Sequence, residues 1–201
     1  MVAASIGPYG ATLADGSEYR GSYGLTPAEL VEFHRDRFDV LRSAGADLLA
    51  IETLPSLDEA RAFVQLLESH SSARAWISFS CKDGKHLSEG QPIFDAASLL
   101  DGCPQVVAIG INCTAPKHVA SLMDEIRRAS RKRIVVYPNS GERWDAAGRC
   151  WSGDPDEFLG PAAVWADRGA WAIGGCCRVG PELIRELAAR RGMLDGASER
   201  S

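Results

Sequence analysis

Six short apolar segments alternate with longer amphipathic segments, and this alternation constrains the fold more than any other feature of the sequence. The apolar segments are VAASI (2–6), DLLAIE (47–52), WISFS (76–80), VVAIGIN (106–112), RIVVYPN (133–139) and AWAIGG (170–175). They are nearly continuous hydrophobic runs, which are typical of parallel strands buried on both faces. The sequence therefore predicts an α/β protein with one parallel sheet.

A segment with helical periodicity follows each predicted strand. The first such helix starts at Thr26, with Pro27 at its first position and Glu29 three residues after the cap, and Ser56 and Glu59 repeat this spacing before the second helix. The stretch 7–24, GPYGATLADGSEYRGSYG, is predicted to be a long glycine-rich loop, of which residues 7–21 could act as an active-site lid. The other predicted helices span 56–70, 93–100, 115–130, 155–169 and 181–191.

The number of strand–helix units leaves two architectures open. A closed (βα)8 barrel needs eight units and about 250 residues, whereas this chain of 201 residues supplies six. The alternatives are an open doubly wound sheet and a TIM-type barrel that lacks its first quarter. A dinucleotide-binding sheet would place a short glycine-rich turn directly between its first strand and helix, and GPYGATLADG has the wrong length and spacing. No linker divides the units, so residues 1–201 are predicted to form one domain.

Composition narrows the class of ligand. The formal net charge is −5 without a basic stripe, which argues against nucleic acid or an anionic membrane as the main partner. No apolar run approaches the roughly 20 residues that span a bilayer, and the first residues lack the layout of a secretory signal. We expect a cytoplasmic protein with a small-molecule substrate. Disulfides are rare in that compartment, so its cysteines are read as core residues, metal ligands or nucleophiles.

Three of the six cysteines follow predicted strands at their carboxyl ends, where parallel α/β folds collect their chemistry. Cys113 follows the fourth strand, and Cys176 and Cys177 follow the sixth, after Gly174 and Gly175, which permit an unusual turn. Three thiolates suit zinc. If the fourth coordination position is open, a substrate thiol could bind the zinc there, and the zinc would lower the pKa of that thiol. Position alone leaves inert core cysteines as an equal alternative.

The remaining cysteines and the histidines show no convergent pattern. A vicinal disulfide between the adjacent cysteines would make a redox protein, but its bond geometry is strained and redox proteins prefer C-x-x-C. The other three cysteines are predicted to be inert core residues, and the four histidines are predicted to lie on the surface. These residues are Cys81, Cys103 and Cys150, and His34, His70, His86 and His118.

Five stretches of the sequence form a recognisable set, in which the most specific pair is GINC with a distant GGCCR. The stretches are SIGPYGATLADGSEYRG, GADLLAIETLPSLDEA, VVAIGINCTAP, VVYPNSGERWD and IGGCCRVGP. Together they resemble the homocysteine S-methyltransferase family, in the branch that uses S-methylmethionine or S-adenosylmethionine as methyl donor. The resemblance implies a zinc-dependent barrel that methylates the thiol of homocysteine to give methionine, with Cys113, Cys176 and Cys177 as the metal ligands.

The resemblance also implies roles for polar residues at strand ends. Glu52 matches an acid that holds the amino group of homocysteine, with a solvated carboxylate as the alternative interpretation. Asn139 matches an asparagine that can approach the metal or the substrate, and a simple turn residue is the alternative. Asn112 precedes the first cysteine and is expected to orient its loop.

The sequence departs from the family at its beginning. Full family members open with a strand that carries an Asp-Gly-Ala or Asp-Gly-Gly turn, and nothing in this chain matches it. We therefore expect about two barrel strands to be absent and the first and last strands to have exposed edges, which could pair in a homo-oligomer. The alternative functions are an inactive or non-enzymatic zinc- or thiol-binding remnant of the family.

Overall fold

Six parallel strands form one sheet in the computed structural model, which describes residues 1–145, 148, 150–154 and 157–190. The strands follow one another in sheet order without a crossover between non-neighbours, which confirms the predicted α/β class. This order is that of a TIM-type barrel, in which each strand lies beside the next one along the chain. The strands are β1 (Ala3–Ile6), β2 (Leu48–Leu54), β3 (Ala75–Phe79), β4 (Val106–Asn112), β5 (Arg133–Tyr137) and β8 (Ala170–Ile173).

Helices connect these strands and cover the sheet, as the periodicity predicted. The two predictions that reach 155–156 and 191 extend, at those positions, outside the described residues. The connecting helices are α2 (Pro27–Ser43), α3 (Leu57–Glu68), α4 (Ile93–Asp101), α5 (Pro116–Ala129) and α6 (Leu159–Asp167), and α7 (Pro181–Ala189) follows the last strand. Among the described residues, no helix combines the length and the hydrophobicity needed to cross a bilayer.

The two predicted helix starts differ in how their acidic residue is used. At α2 the capping box is complete, because Thr26 accepts a hydrogen bond from the Glu29 N–H and Glu29 accepts one from the Thr26 N–H. At α3 the Ser56 hydroxyl accepts from the Glu59 N–H in the same way. The Glu59 carboxylate, however, is 2.8 Å from His34 Nε2, so the second acid belongs to the core rather than to the cap.

The predicted loop at 7–24 contains two short helical turns. Helix α1 (Tyr9–Leu13) and a 3-10 turn (Ser17–Tyr19) follow β1. They pack tightly, because a Cβ atom on Gly10 would lie 2.6 Å from the backbone nitrogen of Glu18. Glycine at position 10 is therefore required by close approach. The segment places the 3-10 turn over the carboxyl ends of the strands.

A short antiparallel hairpin, which sequence periodicity did not indicate, interrupts the connection after β5. It pairs β6 (Arg143–Asp145) with β7 (Cys150–Ser152). Three-residue strands are too short to show alternation, so the pattern carried no signal. Cys150 is exposed in β7, and its prediction as a core residue was wrong; Cys81 and Cys103 are buried as predicted.

The hydrophobic core lies between the sheet and its helices, and it contains one histidine. His34 has no exposed surface, so its predicted surface position was wrong. On helix α2 it occupies the same apolar stripe as Leu30 and Phe38, and a polar residue can lie there only because Glu59 pairs with it.

The described sheet ends at β1 on one side and at β8 on the other, each of which pairs along one edge within the described residues. The exposed fraction of the Trp171 side chain on β8 is 41%. Six strands with an open edge on each side agree with the expectation of a barrel from which about two strands are absent.

Candidate metal centre

Three cysteine sulfurs meet at the carboxyl ends of β4 and β8. The Sγ atom of Cys113 lies 3.0 Å from that of Cys176 and 3.7 Å from that of Cys177, and the last two are 3.9 Å apart. Strand β5 separates β4 from β8 in the sheet, so the trio joins two segments more than 60 residues apart in sequence. No other group of three or more His, Cys, Asp or Glu side chains comes together in this way within the described ranges.

Backbone hydrogen bonds fix the loop that carries the adjacent cysteines. The Cys176 N–H donates to the carbonyl oxygen of Pro138 at 2.8 Å, and the Ser140 N–H donates to that of Cys177 at 3.1 Å. A Cβ atom on Gly175 would overlap the side chain of Val179, so this glycine is required for the turn. The loop after β5 thus holds both sulfurs beside Cys113.

The three thiols share charge unequally. Hydrogen bonds donated by Cys113 and Cys176 lower the pKa of the Cys177 thiol. The same hydrogen bonds, to Cys176 and to Cys177, raise the pKa of Cys113, and burial raises it further. Thiolates at this separation repel one another, so full ionisation of the trio requires a cation. The cluster could therefore hold a metal ion.

Asn112, the last residue of β4, connects three strand ends. Its Oδ1 atom accepts hydrogen bonds from the Thr53 N–H and from the Ser78 hydroxyl, each at 2.9 Å, and its Nδ2 donates to Thr53 Oγ1 at 2.7 Å. The side chain is buried. Thr53 has a φ of 66° and Cys113 a φ of 47°, so the network maintains strained backbone on both sides of the site.

Glu52 lies on the inner side of the sheet end and belongs to a second part of this network. Its Oε1 accepts from the Ser5 hydroxyl at 2.5 Å, and its Oε2 accepts from the Tyr137 hydroxyl at 2.9 Å. Trp76 Nε1 donates to the Tyr137 oxygen at 3.1 Å, and Ser78 Oγ lies 2.5 Å from it. Burial and the Glu52 charge raise the pKa of Tyr137, so its hydroxyl stays a donor to the carboxylate.

A cavity of about 470 Å³ lies beside the cysteine cluster. Cys113 and Asn139 both line it, whereas Glu52 does not. The Asn139 side-chain oxygen accepts a hydrogen bond from the Gly141 N–H at 2.9 Å, and the Asn139 backbone N–H donates to the Thr114 carbonyl oxygen at 3.1 Å. The structure therefore brings Asn139 to the cavity that Cys113 borders, whereas Glu52 is connected to the cysteine site through hydrogen bonds that run by way of Tyr137 and Ser78 to Asn112.

Tyr19 is a site residue that the sequence analysis did not single out. Its hydroxyl lies 4.0 Å from the sulfurs of both Cys113 and Cys177, and it lines the same cavity. Burial, first, and the neighbouring sulfurs raise its pKa. The 3-10 turn that carries it borders the cavity, and a lid role for residues 7–21 stays a prediction.

Comparison with known proteins places these features in a family. The family model described as "Homocysteine S-methyltransferase" matches residues 1–191. The chain belongs to the homocysteine S-methyltransferase family. "Homocysteine S-methyltransferase YbgG" of Bacillus subtilis is 52% identical over 191 residues, and "Homocysteine S-methyltransferase" of Escherichia coli is 47% identical over 193.

A solved homocysteine S-methyltransferase has the same fold. The metallated form of "Homocysteine Methyltransferase MmuM" from Escherichia coli superimposes with a TM-score of 0.82 at 44% identity, covering 94% of this chain and 60% of that one. The two relatives above are likewise covered over 61% and 62% of their lengths, and each match takes in 94% of this chain. The chain thus spans about three fifths of the family members that it matches, and the expected TIM-type architecture is confirmed.

Proposed function

We propose that this chain transfers a methyl group from a sulfonium donor, S-methylmethionine or S-adenosylmethionine, to the thiol of homocysteine, with Zn²⁺ held by Cys113, Cys176 and Cys177. The observation that carries the proposal is the convergence of three sulfurs from two strand ends beside a cavity. We also propose that residues 1–201 act as one homocysteine-binding domain.

The cysteine geometry fits zinc. Tetrahedral Zn²⁺ binds thiolates at about 2.3 Å, which places sulfur atoms about 3.8 Å apart. Two of the three separations are 3.7 Å and 3.9 Å, and the third, at 3.0 Å, needs to widen by only about 0.8 Å to reach that value. When bound, Zn²⁺ would supply a Lewis acid that lowers the pKa of a neighbouring thiol.

The chain's own residues would position the two substrates. The homocysteine thiol loses its proton to water, its sulfur attacks the methyl carbon, and the bond between that carbon and the donor sulfur breaks. The bonding pair stays on the donor, which leaves as a neutral thioether. Glu52 would bind the amino group of homocysteine, because its oxygens each accept only one hydrogen bond and retain further acceptor capacity. Asn139 would contact the substrate from the cavity side. Holding the reactants in line supplies much of the acceleration.

Glu52→Gln is expected to raise the KM for homocysteine about 10- to 100-fold, the effect of a lost hydrogen bond between charged groups, with a smaller change in kcat. Glutamine keeps the shape of the side chain and removes its charge. Initial rates of methionine formation at varied homocysteine measure the effect. Glu125→Gln, on the outer side of α5 where Glu125 pairs with Arg128, is the control and should not change KM. An unchanged KM for Glu52→Gln would assign the amino group to another residue.

Asn112→Ala is expected to weaken zinc binding about 10- to 100-fold, as the loss of an outer hydrogen-bonding partner does at other metal sites. The cysteines stay intact, but the strand end that carries Cys113 loses its links to Thr53 and Ser78. Competition with a chromophoric chelator measures the affinity. Gln105→Ala, just before the opposite end of β4, is the control. Equal affinities in the two variants would mean that Asn112 has no part in holding the metal site.

Methyl transfer itself is tested with the purified chain, Zn²⁺, homocysteine and each of the two donors. Methionine formation is the expected result. A chain that binds zinc and forms no methionine would instead be a non-enzymatic remnant of the family. A chain without zinc affinity that yields a disulfide between Cys176 and Cys177 would support the redox alternative; in the structure these two thiols are free.

We further propose that the protein works in the cytoplasm, because all six cysteines are free and a reducing compartment keeps thiols in that state.

The edges of β1 and β8 are the surfaces at which a second copy could pair. Light scattering after size-exclusion chromatography should show a dimer. A fully active monomer would remove the need for such pairing.

A further inference from the structure

Several charged side chains line the cavity beside the cysteines, and they differ in how many hydrogen bonds and ion pairs they make with other protein groups. Arg20 donates to Asp15 at 3.3 Å and to Ser17 Oγ at 3.1 Å. Glu142 accepts from Arg178 at 3.1 Å. These contacts satisfy much of the charge that Arg20, Asp15 and Glu142 bring to the cavity lining.

Lys82 is the exception. It lines the same cavity, and no acidic side chain in the described part of the chain lies within ion-pair distance of its ammonium group. A Cβ atom on Gly90 would lie 3.1 Å from Lys82 Nζ, so glycine at that position leaves space beside the ammonium. Lys82 is an exposed residue, and its ammonium group brings to the cavity lining a positive charge that is available to an anionic group of a ligand.

The location of the cavity matters for which ligand uses it. Glu52 lies outside its lining, on the inner side of the sheet end, while Cys113 borders it. An acceptor anchored through Glu52 with its thiol at the cysteines leaves the cavity for the second substrate. The aromatic residues Tyr19 and Trp151 also line the cavity, and aromatic rings attract organic cations.

We propose that this cavity receives the methyl donor and that Lys82 binds the carboxylate of that donor, which makes a sulfonium α-amino acid the preferred class over a simple sulfonium ion. This inference rests on the proposed function for the identity of the donor. It assigns a specificity-determining role to Lys82, because the ammonium contacts a part of the donor remote from the transferred methyl group.

Equilibrium binding tests the inference without turnover. The zinc-loaded chain is titrated calorimetrically, without homocysteine, with S-methylmethionine and with its decarboxylated analogue, (3-aminopropyl)dimethylsulfonium. We expect about tenfold tighter binding of S-methylmethionine by the unaltered chain, the effect of one charged contact. Lys82→Ala should abolish the difference, Lys82→Arg should keep it, and Lys85→Ala should keep it, because Lys85 is an exposed lysine of the same loop outside the cavity lining.

Three results would overturn the assignment: equal binding of the two compounds by the unaltered chain, a preference that survives Lys82→Ala, or no binding of S-methylmethionine. A parallel assay of methionine formation separates this failure from that of the proposed function. Methyl transfer without a carboxylate preference contradicts only the role of Lys82. A carboxylate preference without methyl transfer contradicts only the proposed activity.

Discussion

Cys113→Ser is expected to lower the zinc content of the purified chain from about one ion to nearly none, with affinity reduced by at least about 100-fold. The reason is geometric. Cys113 lies 3.0 Å and 3.7 Å from the other two sulfurs, and it is the only one of the three contributed by β4. Without it, two adjacent thiols on one loop must hold the ion, and a serine hydroxyl is a poor replacement for a soft thiolate. Elemental analysis and chelator competition measure the loss.

Cys150→Ser is the matched control, because Cys150 is exposed on the hairpin and is not one of the three clustered cysteines. Its zinc content should equal that of the unaltered chain. Cys177→Ser gives a second test at the other strand end, and circular dichroism establishes that each variant is folded. Full zinc affinity in both Cys113→Ser and Cys177→Ser would contradict the proposed metal centre.

The sequence predicted the sheet and the meeting of the cysteines for the same physical reason. Strands buried on both faces must be apolar throughout, so the six runs were visible without any structural information. The carboxyl ends of parallel strands lie at one edge of the sheet. Residues that follow β4 and β8, such as Cys113 and Cys176, therefore had to lie near each other, although 63 positions separate them.

The hydrogen-bond network around the site was less visible. Ser78 and Tyr137 are polar residues near the ends of apolar runs, and that position is the signal that could have indicated them. Tyr19 carried no such signal. It lies in a segment without periodicity, and the sulfur atom beside its hydroxyl belongs to a residue 94 positions further along the chain. Tertiary packing determines which residues meet across such a sequence separation, and local patterns do not encode it.

The buried position of His34 follows from the helical periodicity of α2. Leu30, Val31, His34 and Phe38 share the buried stripe of α2, and their spacing is that of one helix face. The missing information was the partner, because Glu59 lies 25 positions further along and looked like a capping residue. A histidine in a buried stripe needs a hydrogen-bonding partner in the core, and here that partner is Glu59.

Glu59→Ala is expected to lower the free energy of unfolding by about 1–3 kcal/mol, the cost of leaving a buried polar group without its hydrogen-bonding partner. Neither side chain of the His34–Glu59 pair has exposed surface, and the contact is 2.8 Å. Glu59 Oε1 also accepts from the Tyr9 N–H at 2.6 Å, so the variant releases the start of the 7–24 segment as well. Urea unfolding followed by fluorescence measures the change. Glu32→Ala, which breaks the exposed pair with Arg35, should cost less than about 1 kcal/mol.

The double variant His34→Leu with Glu59→Leu separates the cost of an unpaired polar group from the net contribution of the pair. Two leucines leave no buried polar side chain without a partner at this position, so the double variant should lose less stability than Glu59→Ala alone. The two residues are in contact, so the effects of the single changes to leucine should not add. A loss in the double variant equal to the sum of those single losses, within about 0.5 kcal/mol, would show that the residues act independently. That result would contradict the interpretation that each is buried only because the other is present.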